Sequence, residues 1–231
     1  MRRLTVVLLV LAVLVAVADR VGAVVAGRAV AAELQSSVAL SASPEVEVRG
    51  IPFLTQALAG RYEDVRVRAV DVPAGEITVR ELTAELSGVR APLGEAVSGS
   101  LTEVKVERVD ARALVSYDAL SRRSGERQLT LSAEGDRLRV RGSVRVAGQT
   151  FAAEAVSQLA LDGEVLVIKA EQVRVGDARV DRAIERALQG RLDLRVPLSG
   201  LPYGLSVTDV DVAPDGIRLT AAARDTVLRA R

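Results

Sequence analysis

The chain has no cysteine, no histidine and no tryptophan among its 231 residues, and aromatic side chains amount to 2% of it. Without histidine or cysteine, the commonest general base, the commonest metal ligand and the thiol nucleophile are all missing, which removes most hydrolase templates. No Gly-x-Ser-x-Gly elbow, Walker loop or Gly-x-Gly-x-x-Gly fingerprint occurs, and the only lysines are Lys105 and Lys169, both inside strand-like alternation. The absence of cysteine also excludes disulfides and thiol-linked lipid, so apolar packing alone must hold the fold. The rings are Phe53, Tyr62, Tyr117, Phe151 and Tyr203, too few for the stacking platforms of sugar or single-stranded nucleic-acid binders. A formal charge of +1 gives no electrostatic case for nucleic acid either.

Carboxylates remain the one catalytic option, because paired acids serve glycoside hydrolysis. Glu63 with Asp64, or Asp209 with Asp211, could be nominated, but with 30 acids spread along regular charged faces the solvated-surface reading is favoured. Calcium held by Asp209, Asp211 and Asp215 suits an oxygen-seeking ion, yet no Gly-rich loop surrounds them. No catalytic residue, metal site or cofactor is assigned.

What is present is aliphatic. Nearly half the chain, 49%, is hydrophobic, and with so few rings that share is built from Val, Leu and Ala. Arg2 and Arg3 precede an apolar run from Leu4 to Val17 that closes on Ala16-Val17-Ala18 before Asp19-Arg20. This is the layout of a secretory signal, short for a bilayer span of roughly 20 residues. Residues 1–18 are therefore expected to be a signal peptide and the protein to be exported. The other reading is a retained anchor, since Val21 to Gly27 is apolar again; the Asp19-Arg20 pair near mid-membrane would then be costly, on the order of 2.5 to 3.5 kcal/mol for each charge. Residues 19–231 are expected to form a single α+β domain, long enough to bury roughly 70% of its unfolded surface.

From Glu45 onward the period is two. Val46 and Val48, Val65 and Val67, Val104 and Val106, Leu129 and Leu131, Leu138 and Val140, and Ile217 and Leu219 alternate with charged or polar residues, which sets one face in an apolar interior and the other in water. Turn residues fall where the alternation breaks: Pro73-Ala74-Gly75, Glu134-Gly135-Asp136, Gly148-Gln149, Asp162-Gly163 and Asp215-Gly216. The spacing predicts long strands such as Asp136 to Ala147 and Glu164 to Val175, in a strongly curved antiparallel sheet. Phase shifts at Ala69-Val70 and Glu171-Gln172-Val173 suggest bulges. Helical stretches are predicted over Val21 to Leu40, Pro52 to Ala59 and Arg179 to Gln189, each with one apolar stripe to cover the sheet.

Gly50-Ile51-Pro52-Phe53 is echoed by Gly200-Leu201-Pro202-Tyr203, and each is followed by an Asp-Val-x-Val strand. With the Val/Ala-rich first helix, the run from Arg49 to Thr55 leading into Gly60-Arg61-Tyr62-Glu63-Asp64-Val65, and Leu201-Pro202-Tyr203-Gly204-Leu205 before Asp215-Gly216-Ile217, the chain resembles the LmeA-like phospholipid-binding family of actinobacterial cell envelopes over essentially its whole mature length. Those motifs are structural corners. The resemblance implies a non-enzymatic protein that binds phospholipid in a periplasm-like space, supports envelope glycolipid and lipomannan maturation, and folds like tubular lipid-binding proteins, with a long curled sheet wrapping a helix around an apolar channel.

The residue-level reading points the same way, because an aromatic-poor space offers only aliphatic contact. Burying about fourteen methylenes at roughly 0.8 kcal/mol each gives a gross term near 11 kcal/mol before ordering costs. Ile51, Phe53, Leu54, Leu58, Tyr62, Leu201 and Tyr203 are the expected acyl contacts, with Phe53, Leu54, Leu58 and Tyr203 facing the interior, and Arg49 and Arg61 are the expected headgroup contacts. The expected partners are phospholipid or another acyl lipid and a membrane surface. A non-catalytic structural module of the envelope and a carboxylate-based glycan hydrolase are the competing classes.

Overall fold

The computed structural model describes residues 2–37, 40–74, 77–92, 103–123, 129–146, 149–175, 194–198 and 201–229. The charged alternation becomes strand as expected, in two sheets. One has the order β1-β2-β3-β4-β11-β10, formed by Glu45–Arg49, Arg61–Ala74, Ile77–Arg90, Glu103–Ser116, Gly216–Arg229 and Ser206–Ala213. The other runs β5-β6-β7-β8-β9, formed by Thr130–Glu134, Arg137–Val146, Gln149–Asp162, Val165–Val175 and Leu194–Pro197. Its neighbouring strands all pair antiparallel.

The turn residues act where the sequence put them at Gly135, Gly163 and Asp215, while Gly75 and Gly148 lie outside the described residues. Glu134 pairs with Arg137 across Gly135, and Asp162 with Val165 across Gly163; both glycines hold the left-handed conformation, φ 64° and 61°, that two-residue hairpins require. A bulge stands at the second expected place: Val156 faces Gln172 while Ser157 faces Ala170, so Glu171 is the extra residue. Near the first, Asp71 of β2 takes a φ of 49°.

Three helices accompany the sheets among the described residues: α1 (Arg2–Ser37), α2 (Phe53–Ala59) and α3 (Tyr117–Arg123). The leader and the helix expected from Val21 are one continuous α1, so the backbone makes no break at Ala18. Helix α2 follows the predicted span; Gly60 closes it at φ 63°, and its N–H reaches the carbonyls of Ala57 and Gln56. Helix α3 was hidden by the strand-like pattern on either side of it. Its start is set by Ser116, whose Oγ accepts the Ala119 N–H at 3.3 Å. The helix expected over Arg179–Gln189 lies outside the described residues.

The chain divides into two compact units, one of Met1–Val70, Thr83–Ala111 and Ala223–Arg231, the other of Asp71–Leu82 and Arg112–Ala222. Each has its own apolar cluster.

Candidate functional site

In the first unit, α1 presents a stripe spaced by four, Asp19, Ala23, Gly27 and Ala31, as its buried face. Small residues there let backbones approach. A Cβ on Gly27 would stand 2.4 Å from the Val46 carbonyl oxygen of β1, and one on Gly22 would stand 3.2 Å from the Phe53 ring. Ala23, Phe53 and Ala57 make the buried core, with Ala26, Val48 and Tyr62 packed on it. The Phe53 and Tyr62 rings stack at 6.2 Å, and burial pushes the Tyr62 hydroxyl up from its ordinary value.

The corner that carries α2 is fixed by polar groups from elsewhere. Pro52 offers its helix no side-chain cap, and the Leu54 N–H donates instead to Asp19 Oδ1 at 2.8 Å, a cap supplied by α1. Arg20 pairs with Asp19 at 2.6 Å and donates to the Gly50 carbonyl at 3.0 Å. The buried Gln56 amide accepts the Glu63 N–H at 2.9 Å and donates to the Pro52 carbonyl at 3.3 Å, joining α2 to the start of β2. Gly50, at φ 95°, lies so close to Gln56 that a Cβ would meet its Nε2 at 2.5 Å.

Of the residues predicted to meet an acyl chain, this corner holds Ile51, Phe53, Leu54, Leu58 and Tyr62, while Leu201 and Tyr203 belong to the second unit. Phe53 does face the interior, at 6% exposure. Ile51, Leu54 and Leu58 point outward at 80, 39 and 81%, and Leu201 and Tyr203 are exposed as well. The reason lies in the length of α2: seven residues give two turns, and the turns that bury Phe53, Gln56 and Ala57 leave the opposite side, with Leu54 and Leu58, uncovered. The two echoed motifs also diverge, since Pro202–Gly204 forms a 3₁₀ turn with Tyr203 at φ 62° instead of an α-helix.

The two predicted headgroup arginines sit in opposite electrostatic settings. Arg49 is held by Glu47 at 2.8 Å and Asp64 at 3.8 Å, two carboxylates on one guanidinium. Arg61 and Arg90 instead share one carboxylate oxygen, Glu107 Oε1, at 3.0 and 2.7 Å. The Arg90 hydrogen bond and the Arg61 charge hold the Glu107 carboxyl below its usual range. Two cations on one anion leave a positive excess with spare N–H donors in the Arg61 cluster, which Arg49 lacks.

The second unit holds the larger aliphatic assembly. Cross-strand pairs Leu131 with Val140 and Ala133 with Leu138 line one face of β5–β6, and Val210 with Leu219 and Val212 with Ile217 line the β10–β11 hairpin. Tyr117, Leu138 and Ile217 are its buried centre; Leu120, Leu131, Ala133, Val140, Leu159, Val210, Val212 and Leu219 pack around them only half-buried. Tyr117 is pinned by donating its hydroxyl to the Ala213 carbonyl at 2.6 Å. Branched aliphatics with no ring but Tyr117 make a surface whose chemistry is dispersion and water exclusion. These residues were not among those the sequence singled out for acyl contact, although their signal, the period-two pairs, was in plain view; alternation identifies the apolar face of a strand and not what covers it.

The other face of the same sheet is charged. Glu154 stands between Arg139 at 3.3 Å and Arg141 at 3.0 Å, and its carboxyl is held low by the Arg141 hydrogen bond. The recess there, lined by Glu134, Arg139, Glu154, Val156, Gln172 and Arg174, measures about 30 Å³, room for water and not for an acyl chain. Among the described residues no three carboxylates gather as a cation site.

No curated protein and no solved structure matches the chain. The model of one family does, over residues 17–222, nearly all of the strands and the whole of both apolar clusters. By that match, which covers most of its length, the chain belongs to the LmeA-like phospholipid-binding family.

Proposed function

We propose that this protein is an exported cell-envelope component, held at the membrane by α1, that takes the acyl chain of a phospholipid against the aliphatic layer of its second unit. The observation that carries the reading is the half-buried ring of Leu120, Leu131, Val140, Leu159, Val210, Val212 and Leu219 around a small buried centre in a member of a phospholipid-binding family. Half-covered branched side chains gain roughly 25 cal/mol for each Å² of apolar surface that a lipid tail removes from water. The role is binding and transfer, without catalysis. Within the first unit, Arg61 and Arg90 are proposed as a separate contact for anionic lipid, chosen over Arg49 because their cluster retains positive charge. Supporting envelope glycolipid maturation is the task that follows from such a carrier.

Retention of α1 is part of the proposal. Its apolar side chains from Leu4 to Val17 are exposed on every side, and the helix holds a window of mean hydropathy 2.5. Helix α1 then continues unbroken through Ala16-Val17-Ala18 into the Asp19 cap one residue later, and protease sites favour loose chain over a helix locked at its flank. Arg2 and Arg3 ahead of the run favour an orientation with the folded units outside the cytoplasm.

The test is native mass spectrometry of the purified full chain with organic extraction, followed by displacement of a fluorescent acyl probe. Bound phospholipid, and a probe displaced by phospholipid, are expected. A chain free of lipid that gives no probe signal would remove the lipid reading and leave the structural-module class.

A further inference from the structure

The apolar run from Leu4 to Ala18 extends about 22 Å at the α-helical rise, short of a hydrocarbon core of about 30 Å. Beyond it, Val21, Val24 and Val25 of α1 remain more than half exposed, and the α2 corner that packs on α1 at Gly22 carries Ile51 and Leu58, the most exposed large apolar side chains in the described residues at 80 and 81%. We propose that Ile51, Leu54 and Leu58 form, with these valines, an apolar collar that enters the outer leaflet around the point where α1 leaves the bilayer, so that the partner of the α2 corner is the lipid surface itself. This rests on the anchoring role given to α1 above.

Four contacts make the collar part of the span. Leu54 is tied through its N–H to Asp19, and Arg20 to the Gly50 carbonyl, within one turn of the end of the apolar run. Gly22 admits the Phe53 ring, and a Cβ on it would also stand 3.8 Å from Leu54 Cδ2, so α2 lies flush on α1 at this level. The charges that would oppose entry are neutralised in place: the Asp19 carboxylate is buried, hydrogen-bonded to the Leu54 amide and paired with Arg20, whose long stem can carry its guanidinium toward headgroups. A short span is ordinarily accommodated by bilayer thinning or by flanking residues; here apolar flanking residues stand ready. A solvent-exposed set of this size is otherwise an aggregation liability.

The absence of native tryptophan supplies a clean probe. Full-length Leu58→Trp, Ile51→Trp, Leu11→Trp and Val70→Trp proteins would each be reconstituted in phosphatidylcholine–phosphatidylglycerol vesicles with brominated acyl chains. The Leu11→Trp protein reports the span and the Val70→Trp protein an exposed strand position away from the collar. The Leu58→Trp and Ile51→Trp proteins are expected to show blue-shifted emission and at least half the quenching of Leu11→Trp, several-fold above Val70→Trp. Quenching of Leu11→Trp with Leu58→Trp and Ile51→Trp at the Val70→Trp level would overturn the collar and leave the anchor standing. An unquenched Leu11→Trp protein would overturn both.

Discussion

Around Phe53 the apolar side chains are mostly small or aromatic, and α1 closes over them so tightly that glycine is required where it meets β1 and leaves little room against the Phe53 ring. Around Leu138 they are mostly branched aliphatics, most of them half in solvent, gathered on β5–β7, the β10–β11 hairpin and a short helix. The first cluster is finished by the chain's own atoms. On the proposed reading the second is left for lipid to finish, and that difference separates a cluster that holds the fold from one that receives a ligand: bulk added to a closed core strains it, while bulk added to an open one completes it.

Truncation should break the comparison most sharply. Phe53→Ala is expected to cost about 3–5 kcal/mol of stability by urea denaturation, with acyl-probe affinity of the remaining folded protein unchanged. Leu131→Asp with Leu219→Asp should do the reverse, weakening the probe tenfold or more, about 1.4 kcal/mol or above in binding, while near-native circular dichroism persists because both side chains are half-exposed. Next, the two alanines test filling. Ala57→Leu in the closed cluster should destabilise by about 1–3 kcal/mol, whereas Ala133→Leu should raise the unfolding free energy of the lipid-free protein, measured in urea, by about 0.5–1 kcal/mol and compete with lipid. If both alanines respond alike, the distinction between the clusters is lost.

Smaller effects sharpen the polar side. Asp19→Ala should speed amide exchange at Leu54, since the α2 cap comes from no other described side chain, and leave probe affinity intact. Replacing Arg61 and Arg90 together by alanine should reduce the preference for anionic over zwitterionic lipid severalfold at low salt, and Arg49→Ala should change it less. The same cluster sets a pH response. Glu107 is held below its usual range, so it stays ionised until acid reaches that lowered value; as the pH falls through it, the ion-pair contribution is lost, the two arginines are freed and anionic-lipid preference rises.

Much of the sheet architecture was legible because alternation and turn chemistry are local: Gly135, Gly163 and the Glu171 bulge fall where the pattern breaks. The extent of α2 and its stop at Gly60 were legible for the same reason, whereas its N-terminal cap, Asp19 of α1, was not. The candidate site was less so. Leu54 and Leu58 look core-like in a helical stripe, but the side of α2 that α1 covers is decided by Asp19, Gly22 and Gly27, more than twenty residues upstream, and no local period carries that. The aliphatic layer needed β5–β6 and β10–β11, more than sixty residues apart, to be brought face to face. Helix α3 was masked because Ser116 ends a strand and caps a helix at once.

The central claim is that lipid finishes the second cluster and not the first. Methyl NMR of the full chain with a phospholipid carrying a spin label on its acyl chain tests it directly. The account predicts selective broadening of the Leu131, Val140, Leu159, Val212 and Leu219 methyls with Val48 unaffected; broadening at Val48 while those five stay sharp would contradict it.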